Sequence, residues 1–138
     1  MCSASLVTLG FNLVGTNDCV ENSFPVGTPN IKGDSVGTSS APIDPRLSTL
    51  DAHGGPTATH LPMSTSPVVD AGNCPATVGD QRGYGNIASG LRALDDPSLP
   101  DLADGCDVGA VETGAVELLV FSDGFETGDM FRWGSTSP

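Results

Sequence analysis

The chain has few aromatic residues, few basic residues and no long apolar run. Its 138 residues, 5% of them aromatic, suffice for one domain with a modest core. Five basic against 17 acidic residues give a formal net charge of -12, so the surface repels phosphate backbones and anionic lipid. No window approaches the roughly 20 apolar residues of a membrane span. We therefore predict neither nucleic-acid binding nor a membrane span.

Glycine and proline are abundant instead. The 18 Gly and 11 Pro weaken helix interiors and mark tight corners, which indicates an all-β chain. Short strands are predicted at residues 67–70 and 108–112, and in two pieces around a turn at Gly10. The apolar run at residues 115–121 is the strongest isolated strand signal.

Six short blocks follow one another in a fixed order: GFNLVG, GDSVGTSSAPIDPRL, HGGPTATH, SPVVDAG, DQRG and CDVGAVE. Together they resemble the C-terminal region of many bacterial surface proteins of the choice-of-anchor Q type, over about residues 2 to 112. The chain departs from that pattern at His53, where the family usually has Asn. The resemblance implies the last coils of a right-handed parallel β-helix, a solenoid, over residues 1–121, with loop excursions at 16–40 and 84–104.

The four cysteines and the low lysine content are typical of exported proteins, in which disulfides persist. The first residues lack the pattern of a signal peptide. We therefore expect the C-terminal piece of a longer protein that is extracellular or on the cell surface. The residues alone leave the disulfide connectivity open. The resemblance implies that Cys2 pairs with Cys19 and Cys74 with Cys106.

Charged residues in the blocks have a structural and a catalytic interpretation. Asp80 and Arg82 of DQRG are suited to a charge-assisted corner, with Asp70 or Asp107 as a further partner. The same four residues are the candidates for acid/base catalysis, because parallel β-helices include polysaccharide lyases and hydrolases. We favour the structural interpretation and expect no catalytic residue.

Metal binding has weak support. The sequence contains no C-x-x-C or H-x-x-x-H pair that would indicate a zinc site. His53 is interpreted as a solvated turn residue and His60 as a locally hydrogen-bonded one, in preference to a catalytic-base or ligand pair. Calcium is the one cofactor with a candidate site, since Asp101, Asp104 and Asp107 lie in a loop that also contains Asp95 and Asp96. Their spacing does not match a D-x-D-x-D-G loop, so surface solvation is the default interpretation.

The C-terminal segment at residues 122–138 resembles a short motif appended to secreted bacterial proteins. The residues that carry this resemblance are Asp123, Gly124, Phe125, Glu126, Gly128 and Trp133. The segment is interpreted either as a cap over the open end of the last coil or as a sorting tag.

The predicted function is that of a non-catalytic structural or adhesion-type scaffold, and the alternative is a fragment of a carbohydrate-active β-helix enzyme. The expected partner is a polysaccharide or a cell-surface component. Self-association through the open solenoid edge at residues 5–14 is the other expected contact.

Overall fold

A computed structural model describes residues 6–118 of the chain. In this range the regular elements are four strands of two residues each: β1 (Leu13–Val14), β2 (Ser35–Val36), β3 (Tyr84–Gly85) and β4 (Val116–Glu117). The remaining residues form turns, bends and isolated bridges. The prediction of a turn-rich chain without helices holds for these residues.

The strands form two separate two-stranded sheets. In the first, β1 and β2 are parallel, with Leu13 opposite Ser35 and Val14 opposite Val36. In the second, β3 and β4 are antiparallel, with Tyr84 opposite Glu117. The prediction of a right-handed parallel β-helix is therefore wrong, because the described residues contain no stack of successive parallel coils. The open solenoid edge at residues 5–14, and self-association through it, lose their structural basis.

Residues 67–70 form a turn and residues 108–112 a bend followed by irregular chain, so both strand predictions are wrong, for identifiable reasons. Pro67 has no N–H to donate to a ladder, and Ser66 bonds the next free N–H, that of Val68, at 3.3 Å. Asp70 then adopts a φ of +53°, which ends any extended run. In the second segment, Gly109 has a φ of +112°. A turn at the first place and a bend at the second therefore replace the expected strands.

Both predicted excursions contribute to the sheets. Strand β2 lies within residues 16–40, and β3 begins the segment 84–104. Between the sheets, residues 46–63 fold back on themselves as an irregular antiparallel pair, with bridges from Leu47 to Pro62 and from Asp51 to Thr59. The apolar side chains of Leu47 and Leu50 in this pair are exposed, at 38% and 60%.

The buried interior is more polar than apolar. Five apolar residues of the described range are buried: Val36, Val68, Ala71, Cys106 and Val111. Nine polar or charged residues are buried with them: Thr8, Asn17, Ser23, Asp34, Thr59, Ser66, Asp70, Asp107 and Glu112. Because a chain with two-residue strands leaves many main-chain N–H groups without ladder partners, side-chain oxygens must accept their hydrogen bonds.

Asp34 performs this role next to the first sheet. Its carboxylate is fully buried and accepts hydrogen bonds from the Thr8 hydroxyl at 2.9 and 3.0 Å. It also accepts from the Asn12 N–H at 3.0 Å and from the Asn12 side-chain amide at 2.7 Å. Asp34 immediately precedes β2, and its hydrogen bonds therefore hold the segment that leads into β1 next to the start of β2.

Cys74 and Cys106 form a disulfide, with their Cα atoms 6.0 Å apart, as the resemblance implied. Cys19 is also disulfide-bonded. The predicted pairing involves Cys2, which lies outside the described residues, so this pairing stays a prediction. The six residues named for the C-terminal motif also lie outside them. Within residues 6–118, no helix is long and apolar enough to cross a membrane.

Candidate functional site: a buried carboxylate network

Three blocks around the second sheet, HGGPTATH, DQRG and CDVGAVE, pack against one another, and we call their contact region at residues 54–55, 80–84 and 110–112 the node. A side chain added at Gly54 would meet the Tyr84 hydroxyl at 2.4 Å, and one added at Gly55 would meet the Arg82 Cα at 2.6 Å. The paired glycines of HGGPTATH therefore pack directly against DQRGY. The Gln81 N–H donates to the Ala110 carbonyl at 2.9 Å, which joins DQRG to CDVGAVE. The close approach of the Arg82 backbone explains why glycine is required at position 55, and the Tyr84 ring occupies the space beside Gly54.

Asp80 anchors this node. Its fully buried side chain accepts hydrogen bonds from Arg82, with Nη2 at 2.7 Å and Nε at 2.9 Å, and the same guanidinium lies 4.5 Å from the Tyr84 ring centroid. It also accepts from the main-chain N–H groups of Arg82, Tyr84 and Glu112 at 2.7 to 3.1 Å. Burial raises the pKa of Asp80, but the bonds from Arg82 and the three N–H groups outweigh it and hold the pKa below its ordinary value.

Glu112 forms a second buried ion pair, with Arg92. Arg92 Nε donates to Glu112 Oε2 at 3.1 Å, and the N–H groups of Leu94 and Asp107 donate to the carboxylate at 2.9 and 3.1 Å. Burial raises the pKa of Glu112, and nearby Asp107 adds to this, while Arg92 and the two N–H groups oppose it; the net shift is upward. Arg92 also donates to the carbonyls of Asp107 and Gly109 at 2.9 and 2.7 Å.

Asp107 connects this network to the turn at Asp70. Its Oδ1 accepts the Asp70 N–H at 2.9 Å, and its Oδ2 accepts the Thr113 N–H at 2.6 Å. Both carboxylate oxygens of Asp107 are thus bonded to the main chain. The predicted Asp80 and Arg82 corner is present, but its further partner is Glu112, through main-chain atoms, and not the side chain of Asp70 or Asp107.

Asp70 differs from the other buried carboxylates. It is 1% exposed, and its Oδ2 receives no hydrogen bond from any residue that the structure describes. Oxygens of Asp70, Asp95 and Asp101 lie within 4.8 Å of one another. Burial raises the pKa of Asp70, a bond from the Asp96 N–H partly opposes this, and the charges of Asp107, Asp101 and Asp95 raise it further.

The two exposed members of this cluster adjoin each other. Desolvation, a hydrogen bond shared with the Asp95 carboxyl, and the charges of Asp95 and Asp104 all raise the pKa of Asp101. A side chain at Gly105 would meet the Asp95 Cβ at 2.8 Å, so glycine there leaves room for Asp95. Asp104 lies beside the cluster, with Oδ2 accepting the Cys74 N–H at 2.9 Å and Oδ1 buried without a described partner.

The sequence predicted Asp101, Asp104 and Asp107 as calcium candidates. Asp101 belongs to the cluster and Asp104 lies beside it. Asp107 lies outside the cluster, and its carboxylate accepts hydrogen bonds from main-chain N–H groups. Each histidine makes a local contact: His53 Nδ1 lies 2.9 Å from the Thr59 carbonyl and His60 Nδ1 lies 2.7 Å from the Ser48 carbonyl.

Sequence reasoning missed three central residues: Asp34, Arg92 and Glu112. The available signal was the presence of the two acids inside blocks of the resemblance, GDSVGTSS and CDVGAVE. For Arg92 the sequence offered no such signal, since this residue lies in the segment interpreted as a loop excursion.

Comparisons with known proteins found no match: no family model, no curated protein and no solved structure is significantly similar to the chain. The resemblance to choice-of-anchor proteins therefore stays a prediction, and function must be argued from the residues themselves.

Proposed function

We propose that the chain is a non-catalytic scaffold, an adhesion-type module of an exported or cell-surface protein. The observation that carries this proposal is the use of the buried carboxylates. Asp34, Asp80, Asp107 and Glu112 each accept hydrogen bonds from one or more main-chain N–H groups. A carboxylate held in this way stabilises loops by accepting hydrogen bonds from their main-chain N–H groups.

The catalytic candidates can be assessed on the same basis. The Asp80 side chain is fully buried and ion-paired, and Asp107 is 3% exposed with both oxygens bonded. A general acid or base must reach a substrate proton, at about 2.6 to 3.2 Å or through one water. The Asp80 side chain, at 0% exposure, lacks that access, and both Asp107 oxygens are held by main-chain N–H groups. Asp70 has an unbonded oxygen, but the carboxylates around it are suited to a cation rather than to proton transfer at a sugar.

Location outside the cytoplasm is supported by the disulfide between Cys74 and Cys106, because such bonds persist in oxidising compartments. The net charge of -12 supports a surface that stays soluble and repels anionic polymers. An adhesion partner is therefore expected among neutral or basic polysaccharides and cell-surface components.

A paired assay tests this proposal with the full chain. Beads coated with the chain are washed over immobilised polysaccharides of neutral, basic and acidic character, and the same polysaccharides are incubated with the chain in solution while new reducing ends are counted. We expect retention on a neutral or basic polymer and no new reducing ends. Turnover that disappears in an Asp70→Asn or Asp107→Asn variant of unchanged melting temperature contradicts the non-catalytic assignment, and beads that bind none of the polymers contradict the adhesion role.

A further inference from the structure

The carboxylates of Asp70, Asp95 and Asp101 form a cluster whose spacing is compatible with one shared cation. Two oxygens that each lie about 2.4 Å from a common Ca²⁺ are at most about 4.8 Å apart. The three carboxylate oxygens here satisfy that limit for every pair. Carboxylates are the hard oxygen ligands that Ca²⁺ prefers, and water completes the six to eight positions that it takes.

A second observation separates this cluster from ordinary surface acids. Asp70 is 1% exposed, yet its Oδ2 has no hydrogen-bond donor among the described residues. Four other buried carboxylates of the described chain, those of Asp34, Asp80, Asp107 and Glu112, have no such unpartnered oxygen. The charged groups that act most strongly on Asp70 are themselves acidic: Asp107, Asp101 and Asp95. A buried carboxylate with one unpartnered oxygen among acids is stabilised in its charged form by a cation.

The surrounding chain is shaped for such a site. The Leu102 N–H donates to the Asp70 carbonyl at 3.2 Å, and the Asp96 N–H lies 3.4 Å from Asp70 Oδ1. Both ends of the acidic segment are thus placed against the Asp70 turn. Gly105 lets Asp95 approach its backbone, where any side chain would collide with the Asp95 Cβ at 2.8 Å.

We propose that Asp70, Asp95 and Asp101 bind a single Ca²⁺ ion, which ties the segment 95–104 to the Asp70 turn. Mg²⁺ fits less well, since it demands oxygens at about 2.0 to 2.1 Å in octahedral geometry and gives up its water reluctantly. With three carboxylates, one of them buried, the dissociation constant is expected on the order of 10⁻⁴ to 10⁻³ M, the range of extracellular calcium modules.

Calorimetric titration of the chelator-treated full chain with CaCl₂, followed by thermal melts, tests this site. We expect one ion per chain and a rise in Tm of about 4 °C at a tenfold excess over the dissociation constant. Asp95→Asn and Asp101→Asn, both at exposed positions, are expected to weaken binding at least about tenfold, a loss on the scale of one ligand. The matched control is Asp18→Asn, which removes the same charge from an exposed site outside the cluster.

Asp70→Asn supplies a readout that a purely structural role of the aspartate does not predict. Asparagine tolerates the positive φ of this position, and its amide can donate to the neighbouring carboxylates. Without calcium the variant is expected to melt at or above the wild-type temperature, and with calcium it is expected to show no rise. The proposal is overturned by the absence of binding heat and of a Tm rise beyond that of NaCl at equal ionic strength. It is also overturned by an equal response to Mg²⁺, or by an Asp18→Asn variant as impaired as the cluster variants.

Discussion

The disulfide between Cys74 and Cys106 closes a loop that contains most of the charged network, and its removal is the most quantitative test of the structure. The two cysteines are 32 residues apart in sequence. The double variant Cys74→Ala/Cys106→Ala has an unfolded chain without this crosslink. The chain-entropy relation therefore predicts that its free energy of unfolding is lower by about 3.7 kcal/mol. For a domain of this size, that corresponds to a fall in Tm of roughly 10 °C.

Thermal melts followed by circular dichroism, without reductant, measure the effect. The double variant has its own control, because melting it with and without reductant isolates the contribution of the two remaining cysteines. A fall of less than about 3 °C refutes the reasoning, since the uncrosslinked chain must then already hold residues 74 and 106 together before it folds.

Three further substitutions test the node around the second sheet. Gly55→Ala is expected to lower the free energy of unfolding by about 2 kcal/mol more than Gly90→Ala. Both glycines have a positive φ, but only at Gly55 would an added Cβ meet backbone within 3 Å. Equal losses in urea unfolding contradict the close packing. Asp80→Asn is expected to cost about 3 to 5 kcal/mol at neutral pH. Folding lowers the pKa of this aspartate, so its contribution to stability is present above its unfolded pKa and is lost as the pH falls through the lower folded value. The free energy of unfolding of the variant should therefore depend less on pH below 3.8 than that of the wild type. The same pH dependence in both proteins contradicts the assignment. Arg92→Gln is expected to lower the free energy of unfolding by about 3 kcal/mol, since it leaves the buried charge of Glu112 without its partner. The control Arg46→Gln, at an exposed position, should lower it by less than about 1 kcal/mol. Similar losses in the two variants argue against the buried ion pair.

Sequence reasoning succeeded where a contact is local or where a pairing is implied by the resemblance. The Asp80 and Arg82 corner joins residues two apart, so the pattern DQRG contains both partners. The Cys74 and Cys106 pair followed from the resemblance and is confirmed. Glu112 and Arg92 lie 20 residues apart, and no local pattern connects them.

The burial of individual apolar residues could not be predicted from the sequence. Ile31 is 98% exposed, whereas Val36 is 1% exposed. Val36 belongs to β2 and pairs with Val14, while Ile31 lies in a turn closed by the Gly33 N–H bonding to the Asn30 carbonyl. Hydrophobicity alone does not separate these two positions, because the difference arises from which residue finds a strand partner.

The predominance of polar groups in the buried interior has a thermodynamic consequence. Exposure of apolar surface raises the heat capacity on unfolding, whereas exposure of polar surface lowers it. Residues 6–118 bury Asp34, Asp70, Asp107 and Glu112 beside few apolar residues, so we expect the chain to have a heat-capacity change per residue below the usual value of about 12 to 15 cal/mol/K. Its stability curve is correspondingly broad and shallow, so the folded state loses little of its stability in the cold.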